Sequence, residues 1–232
     1  VSSAGEVTGE SPEVAKVVAA RLGIKRITWR QVPFESLLTE LSERQIDVVA
    51  AGMFITPERN RQAAFSRPTF HVSPGLLVRH GNPRHITSYR QLAGLKGVRV
   101  AVLSGSVEET QLRRLGVPAD SEVAVPDALT GRVAVESGVV DALALSAPSV
   151  RWMALSERLG RTEPAPLTDE SEPGAGLGAY AFRAGDRALR RAWDQVLNDY
   201  IGTPDHLALI RRFGFTAADL PGLTAATPEP AR

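Results

Sequence analysis

Short apolar runs alternate with capped amphipathic stretches along almost the whole chain. This alternation limits the fold more than any single motif, because it is the pattern of an α/β protein whose sheets are mostly parallel and flanked by helices. Ser11, Pro12 and Glu13 read as a helix start, with Ser as N-cap, Pro in the first turn and an acid near the positive dipole end. Val14, Val17, Val18 and Leu22 then share one face, and Gly23 ends the helix. Residues 27–30 read as a strand, 35–44 as a helix burying Leu37, Leu38 and Leu41, and 46–50 as a buried strand. Thr56, Pro57 and Glu58 open another helix.

After Pro74 the alternation changes phase. Strands are expected at 75–79, 98–103, 121–125, 141–145 and 178–183, and helices at 107–115, 127–137, 147–158, 186–200 and 204–213. Residues 162–178 carry Pro164, Pro166, Pro173, Gly174, Gly176 and Gly178 without periodicity and read as loop; residues 224–232 read as a frayed tail. The block from 98 to 158 can build its own sheet, as can the strands before 73 with the helices after 183. Two lobes follow, residues 1–73 with 179–232 and residues 74–178. The chain crosses between them near 73–75 and 174–179, both Pro/Gly-rich segments of the kind that serve as hinges.

Composition narrows the function. The 232 residues carry 27 Lys and Arg against 26 Asp and Glu, a formal charge of +1, which removes the electrostatic case for a nucleic-acid binder. Cysteine is absent, so disulfides, Cys-ligated zinc, iron–sulfur clusters and thiol nucleophiles are excluded. No apolar run approaches the ~20 residues of a membrane span. The chain starts at Val1, and a signal segment before it is expected for an exported protein.

The segment from Asp47 to Arg59 is the most informative. It leads from a strand through Gly52, Met53 and Phe54 to a helix capped by Thr56, and puts Arg59 in the first turn. A cation there opposes the helix dipole, so local stability explains it poorly, whereas Arg is suited to gripping a carboxylate. A solvated surface Arg is the competing reading. Leu103, Ser104, Gly105, Ser106, Val107, Glu108 and Glu109 repeat the strand, small-residue turn and helix order, offering backbone donors to a ligand. One of the two acids serves simply as a favourable first-turn charge. Neither a Walker loop nor a nucleophile elbow is present.

Gly174, Gly176 and Gly178 resemble a dinucleotide loop only superficially: a strand follows them, and flexible hinge is the better reading. His71, His80, His85 and His206 show no metal spacing and read as surface or edge residues; no metal, cofactor or catalytic residue is expected. Trp193 shares a helix face with Leu189 and Leu197 and reads as core. Phe34 and Phe54, both in turns, are candidate pocket aromatics, with packing as the alternative.

Asp47, Ala51, Gly52, Met53, Thr56, Pro57, Glu58 and Arg59, followed by Phe65, Ser66 and Pro68, resemble the signature of extracytoplasmic solute-binding proteins of ABC importers, polar-amino-acid class. Val98, Val100, Gly105, Ser106, Gly138 and Asp141 extend the likeness, as do Ala181, Phe182, Asp186, Arg212 and Phe215. The resemblance implies a two-lobed periplasmic-binding-protein fold, type II-like, with two hinge crossings and a ligand in the interlobe cleft. It implies that Arg59 grips a ligand carboxylate with help from Ser106. Phe34, Phe54, Pro57 to Arg59, Gly105, Glu108, Gly116 and Pro118 are most similar to the ectoine/hydroxyectoine-binding branch. The implied ligand-binding set is Phe34, Phe54, Thr56, Arg59, Ser106, Val107, Glu108 and Ser146. The implied partners are the importer's membrane subunits, with the protein a periplasmic or extracytoplasmic monomer.

Two departures from the family pattern bear on the ligand. Amino-acid binders carry an Asp where this chain has Ser146, and the chain begins at what resembles the turn after the family's first strand, whose aromatic lines the pocket. Three functions follow: delivery of a zwitterion such as ectoine (or, failing that, a betaine or polar amino acid); a ligand-sensing receptor domain; or a dehydratase-like enzyme using Glu108 as its acid or base. The first is the expected one, and the protein is not expected to be an enzyme.

Overall fold

The computed structural model describes residues 6–155, 161–168 and 176–222. The chain divides into two compact units, one of Val1–Val32, Ser36–Val72 and Gly176–Arg232, the other of Pro33–Glu35 and Ser73–Ala175. Helices α1 (Glu10–Arg21), α2 (Leu37–Ser42), α3 (Pro57–Asn60), α8 (Arg187–Tyr200) and α9 (Pro204–Arg211) belong to the first unit, with strands β1 (Val49–Phe54), β2 (Ala64–Phe65), β3 (Phe70–Val72) and β9 (Gly176–Phe182). The second holds β4 (Pro74–Arg79), α4 (Tyr89–Gly94), β5 (Val100–Leu103), α5 (Val107–Arg114), β6 (Glu122–Val125), α6 (Ala128–Glu136), β7 (Ala142–Ser146), α7 (Ala147–Leu155) and β8 (Thr162–Pro164).

In the first unit β9 is the hub: β1, β2 and β3 all pair with it, and all antiparallel. Val14 and Val18 of α1, Tyr180 and Phe182 of β9, and Trp193 and Leu197 of α8 form the core, with Phe70, Phe213 and Phe215. The second sheet runs β6-β5-β7-β4-β8. Its core lies on both faces: Leu76, Val78, Val100 and Val102 pack toward Tyr89, Leu92 and Leu112, while Leu77, Ala101 and Leu143 pack toward Val135, Val150 and Met153. That two-sided burial is why these strands read as unbroken apolar runs.

The α/β class is as read from the alternation, but the expectation of mostly parallel sheets is corrected. Among the described residues only β5 with β6 and β5 with β7 are parallel; β4 is antiparallel to β7 and β8. Hydrophobic periodicity carries no strand direction, which is set by which strands become neighbours. Residues 27–30 keep a half-buried, exposed alternation yet form no ladder, because no strand among the described residues pairs with them. The loop expected at 162–178 instead contributes β8 at the sheet edge, where Pro164 is tolerated, and the start of β9. The crossing expected at 174–179 therefore falls on strand from Gly176 onward, while Gly174 and the tail 224–232 lie outside the described residues. Helix α1 begins one residue before Ser11, at Glu10, with Gly9 as N-cap and no side-chain cap.

Candidate functional site

In the first unit the candidate residues sit at the C-terminal end of β1. Thr56 caps α3, its hydroxyl accepting from the Arg59 backbone N–H at 3.2 Å, and Pro57 follows as the first helical residue. Arg59 is buried, 9% exposed, and its Nη1 donates to the Phe54 carbonyl at 2.9 Å. The guanidinium is thus folded back against the end of β1; the half-buried Phe54 ring meets Phe70 edge-on, ring centroids 6.0 Å apart. A planar, desolvated donor set is chemistry suited to a carboxylate-bearing ligand.

In the second unit the parallel strands β5 and β7 end side by side, and loops at the carboxyl ends of such strands are where ligands bind in α/β sheets. After β5, Gly105 adopts φ +74, a left-handed turn that delivers Ser106 as N-cap of α5. The Ser106 hydroxyl accepts from Glu109 N–H at 3.2 Å. Val107 is half-buried, and Glu108 is buried at 5% exposure in the first turn. Glu109 is the structural acid: one oxygen accepts from Gly105 N–H at 2.8 Å and the other pairs with Arg113 at 2.6 Å. At the end of β7, Ser146 shares a hydrogen bond with Ser149, Oγ to Oγ 2.9 Å. Phe34 lies in a single 3-10 turn, Phe34–Ser36, and groups with this unit; the neighbouring Glu35 approaches Gly105.

The structure thus assembles Phe54, Thr56 and Arg59 in one cluster, and brings Ser106, Val107 and Glu108 together on another. Three features escaped the sequence reading. His206, expected at a surface or edge, is fully buried; its Nδ1 accepts from Gly202 N–H at 3.2 Å, and burial lowers its pKa to about 4. Glu10 is 7% exposed, takes the Ser11 hydroxyl on Oε2 at 2.6 Å and has no hydrogen-bond partner on Oε1 among the described residues. Burial pushes its carboxyl up to about 7 despite the Ser11 bond. Its neighbour Tyr180, whose hydroxyl donates to the Ser11 carbonyl at 2.6 Å, is raised by burial and by Glu10. Neither residue carries a motif, and an acid at a helix start reads as an ordinary dipole partner. The third feature is the glycine pair of β9: a Cβ on Gly176 would stand 2.5 Å from Phe54 Cδ1, and one on Gly178 1.9 Å from Phe70 Cζ. These glycines serve as clearance for aromatic rings. Among the described residues no group of three His, Cys, Asp or Glu could hold a metal ion, and no helix is long and apolar enough to cross a membrane.

The profile of the family described as bacterial extracellular solute-binding proteins, family 3, matches residues 1–215. A probable amino-acid ABC transporter periplasmic-binding protein of Sinorhizobium fredii, y4tE, is 31% identical over 231 residues, 97% of this chain and 74% of its own. ABC transporter arginine-binding protein 1 of Escherichia coli K12 is 26% identical over 85% of this chain and 77% of its own. Among solved structures, EhuB in complex with hydroxyectoine superposes with a TM-score of 0.82 at 28% identity, covering 94% of this chain and 84% of that one.

Proposed function

The chain belongs to the bacterial extracellular solute-binding proteins, family 3, and on that premise we propose that it captures a small zwitterion of the ectoine type and delivers it to an ABC importer at the extracytoplasmic face. The observation that carries this reading is that each unit buries one ionisable side chain at its candidate cluster, Arg59 after β1 and Glu108 at the start of α5. Arg59 takes the ligand carboxylate with help from Ser106. Glu108 takes a ring amidinium, whose delocalised cation lies against Phe54 and Phe34, each face contributing about 0.5–2 kcal/mol. Ser146 supplies a hydroxyl already shared with Ser149 and no carboxylate. A free ammonium at this position would lack the carboxylate that an Asp would supply, and burying a charge without its partner costs several kcal/mol. The likeness to the hydroxyectoine complex of EhuB supports the same ligand class.

The names of the Sinorhizobium and Escherichia relatives favour a second reading, a polar amino acid. Titration calorimetry separates the two. Ectoine or hydroxyectoine is expected to bind more tightly than arginine, glutamine or glycine betaine. Arg59→Ala and Phe54→Ala each weaken binding at least tenfold, about 1.4 kcal/mol. Tighter binding of a standard amino acid, or an ectoine affinity indifferent to Glu108→Gln, would falsify the ectoine assignment.

A further inference from the structure

We propose that Gly176 is a positioning residue for ligand binding: it holds the Phe54 ring at the angle the ligand meets. The inference rests on the reading of Phe54 as a ligand face. A Cβ on Gly176 would lie 2.5 Å from Phe54 Cδ1, 2.8 Å from Cε1 and 3.4 Å from Cγ, so the ring occupies the space a side chain would fill. Gly176 lies in the extended backbone of β9, paired with Val72, a conformation that does not call for glycine. Ring clearance is what remains. Phe54 is aligned with Gly178 across the ladder, and its ring leans to the diagonal neighbour two residues along β9. Phe70 meets the same ring edge-on at an interplanar angle of 87°. The Gly176 backbone and the Phe70 ring together define the seat of the half-buried ring.

Alanine at 176 forces the ring to leave that seat while the strand can keep its hydrogen bonds. The effect on ligand is therefore transmitted through Phe54 alone. The test is a double-substitution cycle read by calorimetry with two probes, hydroxyectoine and L-arginine, on the native chain, Gly176→Ala, Phe54→Ala and the double variant, with thermal unfolding of each alongside. Gly176→Ala is expected to weaken the better probe about tenfold, and the double variant to bind no worse than Phe54→Ala. A structural role alone would instead lower thermal stability and leave the affinity of the folded fraction unchanged. Affinity lost in Phe54→Ala but retained in Gly176→Ala overturns the role of Gly176 and leaves the ligand reading intact. An additive loss in the double variant overturns it as well. Affinity untouched by Phe54→Ala, or a native chain that binds neither probe, overturns the ligand reading itself.

Discussion

Phe70 lies directly over Gly178: the two are paired across the β3–β9 ladder, and a Cβ on the glycine would stand 1.9 and 2.0 Å from ring carbons Cζ and Cε2. Phe70 is itself 4% exposed and held by Phe54 and Phe215, the latter with ring centroids 5.5 Å apart. The ring has nowhere to move. Gly178→Ala is therefore expected to destabilise the first unit by about 3 kcal/mol or more, the upper range for overpacking a core. Urea unfolding followed by tryptophan fluorescence reports this through Trp193, which packs in the same cluster. A loss under 1 kcal/mol would show that the ring is not confined.

Glu10 makes stability depend on pH in an unusual direction. Its carboxyl is raised from 4.5 to about 7 by burial, so the folded state holds the proton more tightly than the unfolded one. The contribution is complete below pH 4.5 and is lost as pH rises through 7. Glu10→Gln is expected to be more stable than native at pH 8, by roughly 1–3 kcal/mol, with the advantage vanishing near pH 4. Equal stabilities at pH 8 would contradict it.

His206 acts with the opposite sign. Burial lowers its pKa from 6.5 to about 4, so its contribution is complete above pH 6.5 and is lost as pH falls through 4. Protonating Nδ1 would also remove the acceptor for Gly202 N–H. Between pH 4.5 and 6.5 the slopes from Glu10 and His206 oppose each other. In that window His206→Phe is expected to lose stability as pH rises, and Glu10→Gln to gain it. Parallel slopes in the two variants would refute the assignment.

The proposed ligand assignment makes Ser146 the position that selects ligand charge. Ser146→Asp puts a carboxylate at the end of β7, where the native hydroxyl meets Ser149. The variant is expected to bind ectoine at least tenfold more weakly and to gain affinity for an amino acid with a free ammonium, measured by calorimetry. Unchanged preference would remove Ser146 from the site.

Much of this was open to reading in the chain itself. The strand, cap and helix order around Thr56 and Arg59, the turn at Gly105 and Ser106, and the apolar runs of β4, β5 and β7 are local arrangements. Spacing, capping chemistry and hydrophobic periodicity dictate them within a dozen residues. The family signature lay there too, because its residues cluster in those same short segments.

Only the tertiary structure decided the rest, and the reason is separation along the chain. Strand direction in both sheets depends on which strands become neighbours, and β9 reaches β1, β2 and β3 from more than a hundred residues away. Gly176 and Gly178 look like a hinge until Phe54 and Phe70 are laid across them. Glu10 and His206 look like surface residues until Tyr180 and Tyr200 are packed against their surroundings. A side chain's solvation is set by what the fold brings to it, so neither the clearance of a ring nor the pKa of a buried acid can be read from its sequence neighbours.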